Sequence, residues 1–268
     1  MKTIKVKCPA KINLNLKVKG KRADGFHDIE SVMQTISLYD YLDISIEPYN
    51  HNEIVLSGMS NEIPYDERNI AYKAAALFIK SAKLENTKIK IFITKNIPVS
   101  AGLAGGSTNA AGVLFGLNEL YENRFSPQEL HQLCATLGSD LNVCLQGGRL
   151  LCKGRGEIIT PLEFEDFMLS LIKPIKLGIS AKEAYTKYSQ KIQKKDAIYE
   201  KNKFRNDLEW AIIDDYSILK KIKSKYPFAV MTGSGSTFYA IENTFKKDTG
   251  FWVMNNLQAI STGITIAK

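Results

Sequence analysis

A glycine-rich stretch, "PVSAGLAGGSTN" at 98–109, lies between the alternating segment "KIKIFIT" and the apolar run "STNAAGVLFGLNELY". The first segment predicts a strand and the second a helix, so the stretch leads into a helix N-terminus. Such an end has unpaired N–H groups and the positive end of the helix dipole, and glycines let a ligand approach the backbone closely. We therefore interpret the stretch as a phosphate cradle. The alternative is a flexible strand-to-helix loop with a serine cap.

The hydroxyls of Ser107 and Thr108 would lie in the first turn of this helix, where they can reach a phosphate oxygen or a phosphate-bound Mg²⁺. Two common phosphate motifs are excluded. No lysine precedes Ser107, as a Walker A loop requires, and the glycines at 102, 105 and 106 do not fit the G-x-G-x-x-G spacing of dinucleotide folds.

Three further features could take part in the same chemistry. A second glycine-rich turn, "MTGSGSTF" at 231–238, has the alternative of a simple hairpin. Asp140 in "LGSDLNV" could instead be a helix cap. Lys11 in "PAKINLNL" could instead be an exposed lysine of a strand.

The elements that must position these residues follow from periodicity. Alternation over 4–8 and again over 12–18 predicts strands, and it puts Lys11, Asn13 and Asn15 on one polar face. Similar alternation predicts strands over 42–46 and 89–93. Helices are predicted after Asn69, from Ser107 to Tyr121, and from a capping box at Ser126 to Gly138.

Beyond residue 155 the predicted elements change to mainly short strands. Strands are predicted in "RGEIITPL", "FMLSLIKP", "FAVMT" and "TFYAI", and a short helix in "SAKEAYTKY". We expect the chain to close with a short helix and the strand "GITIA". The predicted domains are therefore 1–155 and 156–268.

Composition limits the function classes. A chain of 268 residues with 44% apolar residues is long enough for two soluble domains, and its formal charge of +8 suits anionic partners, although a Lys-rich composition can simply be soluble. No apolar run is long enough to span a bilayer, and the start lacks a signal-peptide pattern, so we expect a cytoplasmic protein with no membrane partner. The four cysteines form no Cys-x-x-Cys pair, and we expect reduced, mostly buried thiols.

Taken in order, "PAKINLNL", "PVSAGLAGGSTNAA" and "MTGSGSTF" resemble the three signature motifs of the GHMP small-molecule kinases. The segments "KRADGFHDIESVMQTISLYDYLDI", "GSDLNV" and "FRNDLE" resemble the branch that phosphorylates a cytidine-diphospho sugar alcohol on the route to isoprenoid precursors. The resemblance implies an α+β fold: an N-terminal nucleotide domain like ribosomal protein S5 domain 2, with a left-handed crossover, and a C-terminal ferredoxin-like domain. It implies ATP and Mg²⁺ as cofactors, two small-molecule substrates and no nucleic-acid partner.

The resemblance also implies residue roles. Asp140 would accept the proton of the substrate hydroxyl, and Lys11 would hold that carboxylate ionised and stabilise charge on the substrate oxygen. Ser107 would also be the Mg²⁺ contact. ATP would be bound by Pro98, Gly102, Leu103, Ala104, Gly105, Gly106, Ser107 and Thr108. The second substrate would be bound by Asn13, Phe26, His27, Tyr185, Gly233 and Ser234, with His27 at the cytosine edge and Phe26 and Tyr185 on its faces.

The sequence departs from the family pattern at several positions. Ser100, Ala101 and Ala104 stand where the family often has glycine, so we expect a stiffer loop in which these positions cannot take positive φ without strain. Phe26 replaces a tyrosine, which keeps the stacking face but loses a hydroxyl. Asn142 replaces a proline near the predicted base.

Two other functions remain open. The first is a GHMP kinase for homoserine, mevalonate or a sugar, against which the segments "DGFHDIES" and "NDLE" argue. A basic RNA-binding module would need aromatic residues interleaved with Lys or Arg on a sheet face, and the sequence shows no such stripe.

Overall fold

The computed structural model describes residues 1–194 and 197–267, which form two antiparallel-rich sheets with helices against them. The strands are β1 (Lys2–Asn13), β2 (Lys17–Lys21), β3 (His27–Pro48), β4 (Glu53–Gly58), β5 (Thr87–Thr94), β6 (Arg149–Lys153), β7 (Ile158–Pro161), β8 (Met168–Pro174), β9 (Val230–Met231), β10 (Phe238–Ile241), β11 (Phe251–Gln258) and β12 (Thr265–Ile266). The α-helices are α1 (Ile70–Ala82), α2 (Gly105–Leu120), α3 (Pro127–Leu137), α4 (Leu141–Gln146), α5 (Ala181–Lys191), α6 (Ala197–Lys201), α7 (Asp207–Ile212) and α8 (Ser217–Lys225).

The first sheet has eight strands and is organised around the long strand β3. Its main path runs β12-β1-β3-β5-β4, while β2 and β6 pair with other parts of β3 and β7 pairs with β6. Strands β4 and β5 run parallel and are connected through α1, whereas β1, β3 and β5 are antiparallel neighbours. Helices α1 to α4 pack on one face over a core that includes Phe78, Leu114 and Ile91.

Local sequence explains the helix boundaries. Asn69 caps α1 by accepting from Ala71 N, and Ser126 and Glu129 form the predicted capping box with Pro127 in the first turn of α3. Ser180 is the N-cap of α5, and its side chain accepts a hydrogen bond from Glu183 N. These predicted helix starts are confirmed.

The second sheet has four antiparallel strands in the order β11-β8-β10-β9, with α5, α7 and α8 packed near it. Its core is shared with the first sheet. Met33 and Leu150 of the first sheet pack with Trp210 and Phe238, so the two halves of the chain meet over an apolar contact. The α+β fold class is confirmed.

Two predicted elements differ. No helix closes the described part of the chain after 242: residues 251–258 are strand β11, because the aromatic and β-branched residues of "FWVMNNLQ" pair with β8. The strand predicted over 12–18 stops at Asn13, and Asn15 turns to accept from Val32 N, so it leaves the face that Lys11 and Asn13 share. The predicted boundary at 155 falls between β6 and β7, which pair as a hairpin of the first sheet.

Lysines do lie among aromatic rings on the first sheet, contrary to the expectation of no such stripe. Lys7 Nζ is 3.8 Å from the ring centre of Tyr39, and Lys5 Nζ is 5.8 Å from that of Tyr41. The antiparallel pairing of β1 with β3 brings these residues together from distant parts of the sequence. Lys5 also faces Asp43 at 3.9 Å, so part of this positive charge is balanced locally.

Candidate active site

A cavity of about 800 Å³ lies where the two sheets meet. It gathers most of the residues that the sequence singled out, from six separate segments. Its walls include Lys11, Asn13, Phe26, His27, Gly102, Ala104, Ser107, Asp140, Tyr185, Gly233 and Ser234.

A buried lysine and a reachable carboxylate form the polar end of this cavity. Lys11 Nζ lies 3.2 Å from Asp140 Oδ2 and donates to Asn13 Oδ1 at 2.7 Å. The Lys11 side chain is 3% exposed and that of Asp140 is 30% exposed, so the carboxylate is the more open of the two groups. Lys11 is therefore a buried charge and not the exposed strand lysine of the alternative interpretation.

Asp140 stands at the N-cap position of α4, but its side chain makes no capping hydrogen bond. A carboxylate engaged in capping would point at the helix N–H groups. Here it is directed to Lys11 instead, which leaves it available for proton transfer.

The glycine-rich loop ends in a helix N-terminus without a side-chain cap. Ala104, at the N-cap position of α2, has φ of 59° and no side-chain acceptor. The first-turn N–H groups therefore face the loop, and Ser107 adds a hydroxyl to the cavity wall. This arrangement matches the requirements of an anion site.

Two of the three positions at which the sequence analysis associated positive φ with strain do take positive φ. Ser100 has φ of 50° and Ala104 has φ of 59°, and both lie in the left-handed region. Such residues need support from surrounding structure. At Ser100, a Cβ on Gly178 would lie 2.9 Å from the serine Cβ, so the other half of the chain packs tightly against the loop.

Beneath the loop is a buried polar network that the sequence analysis missed. Asp40 is fully buried, accepts from Asn96 N at 2.7 Å and from Ile97 N at 2.9 Å, and forms a short ion pair with Lys95. Asn109 in α2 donates to Asp40 at 2.9 Å. The network ties the end of β5 to α2, which fixes the loop between them. The "SLYD" and "TKN" segments carried no pattern that would have linked these residues.

The second glycine-rich turn crosses the first. Gly233 has φ of +54°, and a Cβ there would lie 3.0 Å from Gly102 O. Asn13 N donates to Thr232 Oγ1 at 2.9 Å, which connects this turn to the strand that carries Lys11. The turn between β9 and β10 thus forms one wall of the cavity.

Asn206 of the "NDLE" segment holds this turn in place. Its Nδ2 donates to Met231 O at 2.7 Å and to Gly233 O at 2.8 Å, while its Oδ1 caps α7. Glu209 accepts from Met231 N at 2.9 Å, and burial raises the pKa of its carboxyl. The segment therefore has a positioning role, for which the sequence alone supplied no explanation.

Five predicted ATP contacts do not line this cavity: Pro98, Leu103, Gly105, Gly106 and Thr108. Thr108 and Leu103 are buried, and Leu103 O accepts from Lys11 N at 3.2 Å. Pro98 lines a second cavity of about 1160 Å³, together with Lys95, Glu62 and Lys173. The glycine-rich loop thus contributes residues to both cavities.

The other end of the first cavity is aromatic. The His27 and Tyr185 rings stack with centres 4.9 Å apart and planes at 17°, and His27 Nε2 lies 2.9 Å from Ser189 Oγ. Burial and the nearby positive charge of Lys21 lower the pKa of His27. Phe26 is 53% exposed, and one of its faces is covered by the guanidinium of Arg155, 5.0 Å from the ring centre.

Asn142, which replaces the family's proline, bridges three elements near Asp140. Its Oδ1 lies 3.1 Å from His131 Nδ1 of α3, and its Nδ2 donates to Glu157 O at 3.2 Å. The amide thus links α4 to the turn before β7. A proline could not make these two contacts.

None of the four cysteines lines this cavity, although burial and, after it, the charge of nearby Asp140 raise the pKa of the Cys144 and Cys152 thiols. All four are free and buried, as expected, and burial raises the pKa of Cys134 and Cys152 to about 12. Within residues 1–194 and 197–267, His, Cys, Asp and Glu form no group of three that could hold a metal ion. No helix in those ranges is long and apolar enough to cross a membrane.

Comparison with known proteins connects this site to a family. Residues 69–148, which include the glycine-rich loop and Asp140, match the N-terminal domain of GHMP kinases. The chain is 41% identical over 257 residues to a 4-diphosphocytidyl-2-C-methyl-D-erythritol kinase of Clostridium perfringens, covering 88% of each protein. It is 39% identical to the enzyme of that name from Clostridium tetani, covering 91% of this chain and 95% of the relative.

Solved structures agree with this match. A crystal structure of 4-(cytidine 5'-diphospho)-2C-methyl-D-erythritol kinase superposes with a TM-score of 0.74 at 25% identity, over 96% of this chain and 99% of that one. The Methanococcus jannaschii mevalonate kinase superposes with a TM-score of 0.67 at 15% identity, over 97% and 99% of the two chains, which shows a common fold alone.

Proposed function

This chain belongs to the 4-diphosphocytidyl-2-C-methyl-D-erythritol kinases of the GHMP kinase family, and on that premise we propose that its cavity transfers the γ-phosphoryl of ATP to the 2-hydroxyl of that cytidine-diphospho sugar alcohol. The reaction is a step in isoprenoid-precursor biosynthesis. The observation that carries the proposal is the Lys11–Asp140 pair, 3.2 Å apart, in the same cavity as the N-terminal end of α2.

Asp140 is the proposed proton acceptor. Its carboxylate is partly exposed in the cavity, and no capping bond competes for it. A substrate hydroxyl within hydrogen-bond reach would pass its proton to this carboxylate as the phosphoryl group is transferred. The Lys11 ammonium stabilises the negative charge that develops on the attacking oxygen, and Asn13 holds the ammonium in that direction.

The glycine-rich loop is the proposed triphosphate site. Free N–H groups at the start of α2 and the helix dipole attract the phosphates, while Asp40 and Lys95 keep the loop in one conformation. The nucleotide would extend from the second cavity, where Pro98 lies, across the loop toward Asp140. This path would place the γ-phosphate in the first cavity beside the cytidine substrate and the rest of the nucleotide toward the second.

The side chains near the loop fit a Mg²⁺ ion brought in with the phosphates. Such ions usually keep several waters and take one or two protein ligands beside the phosphate oxygens, so a cluster of three acidic residues is unnecessary. Ser107 supplies a hydroxyl and Asp140 a carboxylate to the same cavity. When bound, Mg²⁺ would neutralise charge on the transferring phosphates.

The aromatic end of the cavity is the proposed cytosine site. The low pKa of His27 favours a neutral ring, which can donate and accept one hydrogen bond each toward a base edge. Ser189 engages Nε2, so Nδ1 is the atom available to the base. Tyr185 offers a flat face, but His27 covers a face of its ring, so the two rings must move apart before that face can stack on a base.

A substrate panel tests this function. Purified enzyme is assayed by coupled ADP release with the cytidine-diphospho substrate, mevalonate and homoserine, with Asp140→Asn as the background control. We expect turnover with the cytidine substrate alone and its loss in the variant. A kcat/KM for mevalonate or homoserine equal to that for the cytidine substrate would contradict the proposal.

A further inference from the structure

An arginine between the two ends of the cavity has no role in the chemistry described so far. The substrate class proposed above carries a diphosphate between its base and its sugar alcohol. If the base lies at His27 and the reacting hydroxyl at Asp140, the two anionic phosphates must lie between them. This inference therefore rests on the proposed function and asks which cation of the cavity receives those phosphates.

The positively charged side chains of the cavity wall, within the described residues, are Lys11, Lys21, Arg155 and Lys182. Lys11 already contacts Asp140 and Asn13 at the reacting end. Lys21 and Lys182 are exposed at the rim. Arg155 differs from these three lysines because its neighbour Gly156 lies near Asp140 while its own guanidinium contacts Phe26.

The backbone at Arg155 adjoins the reacting end. Gly156 packs so near Asp140 that a Cβ on the glycine would lie 3.8 Å from Oδ1. The guanidinium points the other way and lies over Phe26, 5.0 Å from the ring centre. Arg155 therefore extends from a backbone position one residue away from the contact with Asp140 to a guanidinium that lies at the base site.

The turn that carries Arg155 is fixed in several places. Arg155 N donates to Glu157 Oε2 at 2.6 Å, Gly156 N donates to Lys153 O at 3.0 Å, and Ile29 N donates to Gly154 O at 2.7 Å. Asn142 attaches the same turn to α4. The guanidinium is thus presented by a rigid turn and not by a loose loop, which lowers the entropy cost of binding.

The contacts of the guanidinium leave donors free for an anion. Its Nε faces Glu157 Oε1 at 3.6 Å and one planar face rests on Phe26. A guanidinium has five N–H donors in a planar fork that matches two phosphate oxygens, so its outer edge can still bind a diphosphate. Stacking on an aromatic ring preserves this edge-on geometry.

We propose that Arg155 binds the diphosphate of the cytidine substrate and thereby selects substrates in which a diphosphate links the base to the alcohol. A ligand with the base alone would not engage this side chain. A small alcohol without a diphosphate would leave the guanidinium unpaired.

The test compares two inhibitors that differ only by the phosphates, CDP and cytidine, in wild type and in Arg155→Met. We expect the inhibition constant of CDP to rise at least tenfold in the variant, while that of cytidine changes less than twofold and the KM for ATP stays constant. The KM for the cytidine-diphospho substrate should rise with CDP, with kcat changed less than threefold. Arg155→Lys, which keeps the charge but loses the fork, should lie between the two.

Lys153→Met is the matched control, because it removes a positive charge from the same hairpin at an exposed position outside the cavity wall. It should leave both inhibition constants unchanged. Equal weakening of CDP and cytidine in Arg155→Met would overturn the inference, since Arg155 would then support only Phe26. An unchanged CDP constant in both Arg155 variants would overturn it as well, while wild-type turnover of the cytidine substrate would leave the proposed function standing. A wild type that does not phosphorylate that substrate would overturn the function itself.

Discussion

Gly102 in the phosphate loop lies against the backbone of Thr232 in the other half of the chain, so closely that a Cβ on Gly102 would be 2.2 Å from Thr232 O. The contact joins the two glycine-rich motifs directly. It explains why this position needs glycine more than its neighbours do, since Gly102 also has φ of +73°.

Gly102→Ala is therefore expected to lower activity and stability together. The added methyl meets backbone, which cannot move aside as a flexible side chain would, so one of the two loops must shift. We expect kcat/KM to fall at least tenfold and the melting temperature to drop, measured by ADP release and thermal unfolding. Gly20→Ala is the control, because nothing lies within 4 Å of a Cβ there. Activity within twofold of wild type would show that the loop contact is unimportant.

Asp140→Asn is expected to bind both substrates nearly normally and to lose most turnover. The amide keeps the size of the carboxylate but cannot accept the proton, and general-base help is typically worth ~10²–10⁴-fold. Steady-state kinetics should show the loss in kcat with both KM values within threefold. Asp43→Asn, on the sheet surface, should behave as wild type. A kcat within a factor of three of wild type would remove Asp140 from proton transfer.

Ser107→Leu is expected to weaken ATP far more than the cytidine substrate. The side chain stands in the first turn of α2 at the cavity wall, where bulk would block the N–H groups proposed to bind phosphate. Direct titration with a non-hydrolysable ATP analogue should show at least a tenfold weaker affinity. Ser107→Ala separates the two effects, because it removes the hydroxyl and leaves the N–H groups open. An unchanged ATP affinity in Ser107→Leu would argue that phosphate lies elsewhere.

Base recognition should depend on His27 and Tyr185. Stacking on an aromatic residue is worth roughly 1–3 kcal/mol per base, and an edge contact rejects bases that leave polar groups unpaired. Alanine at either position should raise the KM for the cytidine substrate several-fold with that for ATP barely changed, and the uridine analogue should be a poor substrate of wild type. Tyr41→Ala is the control. Equal use of the cytidine and uridine analogues would contradict the role of His27. An unchanged KM in Tyr185→Ala would contradict the role of Tyr185 as the stacking partner.

Protonation of His27 should make the KM for the cytidine substrate depend on pH below neutrality. Burial and Lys21 lower the pKa of His27 below its ordinary value of 6.5, so the folded protein favours the neutral ring. The neutral form therefore predominates above that value, and protonation sets in as the pH falls through the lowered pKa. The KM for the cytidine substrate should therefore be constant near neutral pH and rise in mildly acidic buffer. His27→Gln should have a flat profile; a wild-type KM that rises toward alkaline pH instead would contradict this assignment.

The sequence predicted those parts of the site that depend on local pattern. The loop, the capped helices and the strand face of Lys11 and Asn13 follow from residue spacing. What it missed depends on pairing between distant segments. Nothing near Asp40 indicates that Lys95 and Asn109 will surround it. The contact of Ser189 with His27 arises only when the two halves pack, and that of Arg155 with Phe26 only when the β6–β7 hairpin pairs with β3. The same holds for β11, whose partner β8 lies some 80 residues earlier in the chain.

The left-handed residues of the loop illustrate the limit of reasoning from residue type. Alanine and serine disfavour positive φ, so the sequence analysis expected strain wherever these residues turned that way. The loop nevertheless takes that conformation at Ser100 and Ala104, within a frame set by Asp40 and by contacts from the other half of the chain. Tertiary contacts can therefore outweigh local preference at the most constrained part of the site.

Strand β12 pairs with β1, the register placing Val6 opposite Ile266, after the chain has passed through the whole second sheet. The strands of the second sheet therefore lie, along the chain, between two strands of the first sheet. Completing the first sheet requires closing a loop of well over two hundred residues, so contact order is high and the order of assembly is constrained. During synthesis the catalytic strand that carries Lys11 must wait for residues beyond the second sheet before its outer edge is covered, and an exposed edge is a site for mispairing. The two halves of this kinase are therefore poor candidates for separate expression.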